Sequence, residues 1–159
     1  MRELANLMHM SLTTIYQLGG SKDQLIAEAH AERMATFREA LHRKTRRGEK
    51  AEDRVRNVLR QYVSTLERDT VRTLTMMRAF YALTPDVLES RASVHRTYVN
   101  LIDEAVGETD VPDRLIVIET LGHVMNSAIV QWMNDEVHDA SEVWRVLDAA
   151  VRVLFRNVN

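Results

Sequence analysis

With 159 residues, 45% of them hydrophobic, and no cysteine, the chain is long enough for a small head and a larger body, and it carries neither disulfides nor thiolate metal sites. No run of about 18 apolar residues occurs, which excludes a membrane-spanning helix, and the opening MRELANLMHM does not read as a secretory signal. Net charge is −2, but residues 1–60 hold 12 Lys and Arg against 8 Asp and Glu, while residues 61–159 hold 9 against 15; a basic front and an acidic rear suit a chain that places only its front on nucleic acid.

Five Gly and two Pro leave few places to turn, so an all-helical fold is expected. The first helix runs from about Arg2 to His9, with Leu4, Leu7 and Met8 on one side. The second begins after Ser11, carries Ile15 and Leu18, and stops at Gly19-Gly20, where glycine supplies the left-handed conformation of a helix end. Ser21-Lys22-Asp23-Gln24 is a capping box: the Ser21 hydroxyl takes the Gln24 amide, the Gln24 side chain reaches back, and Asp23 sits in the positive field of the helix start. That third helix is expected to reach about Thr45 and to bury Leu25, Ala29, Met34, Phe37 and Leu41.

Arg43 to Lys50 reads as a charged connection. Its basic run, about 30 Å from Lys22 along a straight helix, reads as a solvated helix end, favourable at the negative C-terminus. A helix from about Ala51 to Arg68 turns Val55, Val58, Leu59, Tyr62, Val63 and Leu66 inward, and another, Val71 to Leu83, carries Leu74, Met77, Ala79, Phe80 and Tyr81. Thr84-Pro85-Asp86 breaks the chain, because the residue before Pro resists helical angles. The next helix, Asp86 to Val106, uses Val87, Leu88, Val94, Tyr98, Leu101, Ile102 and Ala105. Pro112 is expected in the first turn of the following helix, where its missing N–H costs nothing. The last two helices, about Asp113–Asn134 (Leu115, Ile118, Leu121, Met125, Ala128, Ile129, Trp132) and Ala140–Arg156 (Val143, Trp144, Leu147, Ala150, Val151, Leu154, Phe155), are the most apolar part of the chain. Their apolar faces are wider than one core-facing stripe needs, which suits either a two-helix dimer interface or the centre of a monomeric bundle.

Signs of catalysis are missing. Glu39-Ala40-Leu41-His42 alone has the Glu-x-x-His spacing of a di-iron bundle, which needs two such pairs. The six His do not cluster with carboxylates at metal-ligand spacing, and no nucleophile elbow, phosphate loop or dinucleotide fingerprint is present. No catalytic residue, metal or cofactor is therefore expected, and the chain does not read as an enzyme.

A short helix, a tight turn, a second short helix and a capped long helix form the layout of a helix-turn-helix head, or of a plain amphipathic hairpin. Leu12, Thr13, Thr14, Tyr16 and Gln17 lie on the outer sides of the second helix. Hydroxyls there suit phosphates, an amide suits adenine, and Thr or Leu methyls suit thymine. Lys22 adds an ammonium at a helix N-terminus.

Leu4-Ala5, Met10-Ser11, Thr14-Ile15-Tyr16 and Ser21-Lys22-Asp23-Gln24-Leu25-Ile26 match, without a gap, the signature of the TetR family of transcription regulators. T-[LI]-Y followed by S-K-[DE] is its specific part, and residues 131–135, QWMND, before an amphipathic last helix also look like the end of many members. The resemblance implies a partial helix-turn-helix head and connecting helix over residues 1–45 and a helical ligand-binding and dimerisation domain over residues 46–159. Leu12, Thr13, Thr14 and Gln17 would lie near bases or backbone, and Tyr16 and Lys22 would hold phosphates. Met76, Met77, Phe80, Tyr81, Tyr98, His123 and Asn126 would line the site of a small, mostly apolar inducer. His123 and Asn126, three apart on one helix, could also bond to each other. Leu121, Met125, Ala128, Ile129, Trp132, Val143, Leu147, Val151 and Leu154 would form a four-helix interface in a homodimer.

The implied function is a cytoplasmic, inducer-released regulator of operator DNA, in this family usually a repressor. The alternative is a TetR-like ligand- or protein-binding module that has lost DNA binding. Three departures bear on the choice. His9 stands where the family has Gly, Leu18-Gly19 replaces an aromatic pair, and the family's first helix is absent. Two helices of about eight residues are not stable without that cover, so an N-terminally truncated member with residues 1–20 loosely held is expected.

Overall fold

The computed structural model describes residues 11, 13–14, 21–42, 49–81, 85–134, 136 and 139–156. Six α-helices follow one another there: α1 (Lys22–His42), α2 (Ala51–Glu67), α3 (Thr70–Phe80), α4 (Leu88–Val106, entered through a 3-10 turn at Pro85–Val87), α5 (Arg114–Met133) and α6 (Ala140–Leu154). No strand occurs among the described residues. The expected helix at 2–9, most of the one after Ser11, the Gly19-Gly20 stop, the 45/46 domain boundary and Thr84 lie outside them.

Side-chain caps define several ends. Ser21 Oγ accepts the Gln24 amide at 3.1 Å, but the Gln24 side chain turns forward and donates to Glu28 Oε1, so only half of the expected capping box forms. Asp69 accepts from the Arg72 amide to start α3, and Asp139 accepts from the amides of Ser141 and Glu142 to start α6. Pro112 stands before the α5 cap, not in its first turn, and the cap itself, Asp113, takes a left-handed φ of 51°.

α4 packs against α1, α2 and α5, and α6 covers α2 and α5 from the far side. The buried stripe of α1 is Ala27, His30, Met34 and Leu41, with Phe37 half-buried. Its axis runs through Ala27, Met34 and Leu41, seven residues apart. That leaves Ala29 exposed and Leu25 only half-buried, contrary to expectation. Leu88 and Leu115, also expected inside, are 56% and 69% exposed, because the inward positions beside them are taken by Val87 and by Val117.

Two arginines close the end of α4, where helix carbonyls lack intrahelical donors. Arg54 donates to the carbonyls of Glu49, Ala105 and Val106, and Arg114 donates to the carbonyls of Asp103 and Gly107 and to the Asp103 carboxylate. Gly107 makes the turn at φ 66°, a conformation that L side chains rarely adopt. Arg56 bridges α2 to Asp148 on α6 at 2.7 Å, Arg60 lies over the Trp144 ring, and Arg38 pairs with Glu104 between α1 and α4.

Candidate functional site

A cavity of about 450 Å³ lies where α1, α3, α4 and α5 converge, with Tyr62 of α2 in its wall. Its inner part is apolar and buried: Met34, Met77, Phe80, Val94, Met125 and Ile129. Its mouth is wetter, with Leu88, Ala92, His123 and Asn126 exposed and Tyr81, Arg91 and His95 half-buried. The size falls in the range of a small-molecule site.

Two buried polar atoms in this wall have no hydrogen-bond partner among the described residues: His30 Nδ1 on α1 and the Tyr98 hydroxyl on α4. Such groups are costly unless something satisfies them. The His30 ring stands edge-on to Phe80 at 4.9 Å. Burial, helped by the positive charge of Arg33, lowers its pKa to about 4, so the imidazole is neutral at pH 7. Burial holds the Tyr62 and Tyr98 phenols well above their usual pKa and pushes Tyr81 up to about 12, so all three keep their protons. At the mouth, Tyr81 donates to Asn126 Oδ1 at 2.8 Å, Arg91 lies over the Tyr81 ring at 5.6 Å, and His95 Nε2 sits 3.4 Å from a carboxylate oxygen of Glu119.

Residues 48–154 match the family described as Tetracyclin repressor-like, C-terminal domain, a span that includes α2 to α6 and so most of the cavity wall. The chain belongs to the TetR family of transcriptional regulators. Its fold is similar to the crystal structure of a TetR transcriptional regulator from Rhodococcus sp. RHA1, with a TM-score of 0.78 and 18% identity over 99% of this chain and 85% of that one. No curated protein matches it in sequence. This is a family of regulators, not of enzymes, and no helix of the described residues is long and apolar enough to cross a membrane. Among those residues no three His, Asp or Glu side chains are grouped to hold a metal ion.

Six of the seven expected ligand residues of this TetR chain line the cavity: Met77, Phe80, Tyr81, Tyr98, His123 and Asn126. Met76 does not; it packs against the core from the neighbouring face of α3. Asn126 bonds to Tyr81, not to His123. Sequence reasoning missed His30, Arg91 and His95. The signal was present in spacing: His30 lies one helical turn before Met34, and Arg91, His95 and Tyr98 follow at four and three residues, all on one side of α4.

Of the residues expected on DNA, Thr13, Thr14 and Lys22 are described. Thr13 and Lys22 are exposed, and Ser11 Oγ accepts the Thr14 amide at 3.0 Å, the expected N-cap of the second helix. Leu12, Tyr16 and Gln17 lie outside the described residues.

Most of the residues expected at the dimer interface are buried within the single chain. Leu121, Met125, Ala128, Ile129, Trp132, Val143, Leu147 and Val151 are each 3% exposed or less within the single chain, so they form its own core and offer no surface to a partner; Leu154 is half-buried. The excess apolar width of these helices lies elsewhere. Ile116 and Val153 are each 63% exposed, Val146 is 43% exposed, and Val124 and Val130 are half-buried. Asp148 and Trp144 meet α2, which puts Val146 and Val153 on the opposite edge of α6. Asn126 and Glu119 meet α3 and α4, which leaves Ile116, Val124 and Ser127 on the outer face of α5.

Proposed function

We propose that this chain is a homodimeric, inducer-released repressor of operator DNA acting in the cytoplasm, with a small, mostly apolar inducer occupying the α1–α3–α4–α5 cavity. The observation that carries the reading is the pair of unsatisfied buried atoms, His30 Nδ1 and Tyr98 Oη, in the wall of one cavity. Each such group calls for an explanation, and a guest in the cavity that both residues line would supply one for the two together. α1 supplies the link to DNA. Ser21 and Lys22 stand at its start beside the head, and His30 and Met34 enter the cavity wall roughly 12 and 18 Å further along, at 1.5 Å per residue. A guest that displaces His30 therefore tilts the helix carrying Lys22. In this reading residues 1–45 are the head and its connecting helix, and residues 46–159 are the ligand and dimer domain. Leu12, Thr13, Thr14 and Gln17 meet bases or backbone, and Tyr16 and Lys22 meet phosphates. The dimer forms through the outer faces of α5 and α6.

A fluorescence-anisotropy titration tests this, using the chain and the longest in-frame product of its gene against DNA flanking that gene at 50 and 200 mM salt. Binding that weakens by orders of magnitude between the two is the expected result for several phosphate contacts. If neither product binds while both are dimers, DNA regulation is the wrong reading, and a ligand- or partner-binding module takes its place.

A further inference from the structure

The cavity wall has an uneven charge. It contains one arginine, Arg91, and no Asp or Glu. The other arginines between helices are engaged: Arg33 with the Thr65 carbonyl, Arg38 with Glu104, Arg54 with α4 carbonyls, Arg56 with Asp148 and Arg114 with Asp103. Among the described residues Arg91 donates no hydrogen bond and has no carboxylate in reach. Its guanidinium lies over the Tyr81 ring at 5.6 Å, and that ring is itself held by Asn126. Stacking on an aromatic face restrains a guanidinium and leaves its in-plane fork of donors open. That fork has the geometry of a carboxylate's two oxygens. Inward from it the wall is mainly apolar, through Val94, Met77, Met34 and Ile129, with the buried His30 Nδ1 and Tyr98 hydroxyl as its polar points.

We propose that the cavity selects an amphipathic monocarboxylate, with its anionic head on Arg91 at the mouth and its apolar body running inward past Met77 and Met34. The inference rests on reading the cavity as an effector site. A cationic head would meet Arg91 with no carboxylate in the wall to compensate. A neutral head would accept from the guanidinium without compensating its charge. Glu119 is not part of the wall; its carboxylate stands 3.4 Å from His95 Nε2, on the His95 side of the mouth.

Calorimetric titrations of the full chain with two matched sets of probes decide it: octanoate, 1-octanol and octylamine, and 2-naphthoate beside 2-naphthol. Each carboxylate is expected to bind about tenfold tighter or more than the alcohol with the same body. Arg91→Gln should abolish that preference, and Arg91→Lys should restore part of it. Circular dichroism of the variants matching the parent shows that the fold is intact. Equal affinity for acids and alcohols, or a preference that survives Arg91→Gln, overturns the carboxylate inference and leaves the effector cavity standing. Failure of every probe to bind at millimolar concentration overturns the cavity reading, and the carboxylate with it.

Discussion

The Tyr81 hydroxyl donates to Oδ1 of Asn126 at 2.8 Å and so joins the end of α3 to the middle of α5 across the mouth of the cavity. The same ring meets Phe80 edge-on at 5.3 Å and carries Arg91 over its face. One phenol thus organises the entrance from three sides. Tyr81→Phe is expected to cost about 1 kcal/mol, a fall in Tm of roughly 2–4 °C for a domain of this size. Asn126→Ala should cost a similar amount, and the double variant no more than either alone, as a double-mutant cycle of thermal melts would record. Additive losses would show that the bond contributes nothing.

Tyr98 presents the opposite case. Its hydroxyl is buried without a partner among the described residues, so removing it relieves a desolvation cost instead of breaking a bond. Tyr98→Phe is expected to raise the stability of the unliganded protein by about 1 kcal/mol in urea unfolding and to weaken any ligand with a polar atom at its buried end. A destabilised variant would mean that the hydroxyl has a partner and that the cavity needs no guest there.

His30 makes stability depend on pH. Its pKa is about 4 in the folded chain and 6.5 when exposed. Between those values the unfolded state binds more protons, so stability rises with pH there. The full stability is present above pH 6.5 and is lost as pH falls towards 4, by about 3 kcal/mol at most. The positive charge of Arg33, further along α1, acts in the same direction. Urea unfolding at half-unit steps should show a shallower slope for His30→Met than for the parent in that window. Identical slopes would place the His30 proton equilibrium near that of a solvated histidine.

The helix order was legible because each helix from Ala51 onward carries its apolar residues at helical spacing and is bounded by Gly, Pro or an Asp cap. The cavity-lining residues on α3 and α5 were legible for a related reason: Met77 and Phe80 lie on the inward face of α3, and Asn126 is a polar residue on an otherwise apolar helix. His30 and Arg91 were not, because a polar residue within an amphipathic helix reads as surface until the neighbouring helices are placed. The outward face was less legible, for a different reason. On α5 both faces are apolar, so periodicity alone does not say which one meets the chain's own core. The stripe with the larger side chains, Leu121, Met125 and Trp132, went inside.

That outcome sets the test of assembly. If the outer faces of α5 and α6 are the dimer interface, a charge placed there must separate the protomers without unfolding them. Val153 is 63% exposed and Ile116 is 63% exposed, so Val153→Glu and Ile116→Asp are expected to change the stability of a single chain by no more than about 0.5 kcal/mol. In the dimer the same charges would be desolvated without partners, and sedimentation velocity should find monomers at concentrations where the parent is dimeric. Leu121→Ala is the control from the inner face. It removes a fully buried side chain and should cost about 2–5 kcal/mol in unfolding, whatever the oligomeric state. Were Val153→Glu and Ile116→Asp both to remain dimers, the protomers would meet through another surface, and Val146 and Val124 would have to be explained without a partner.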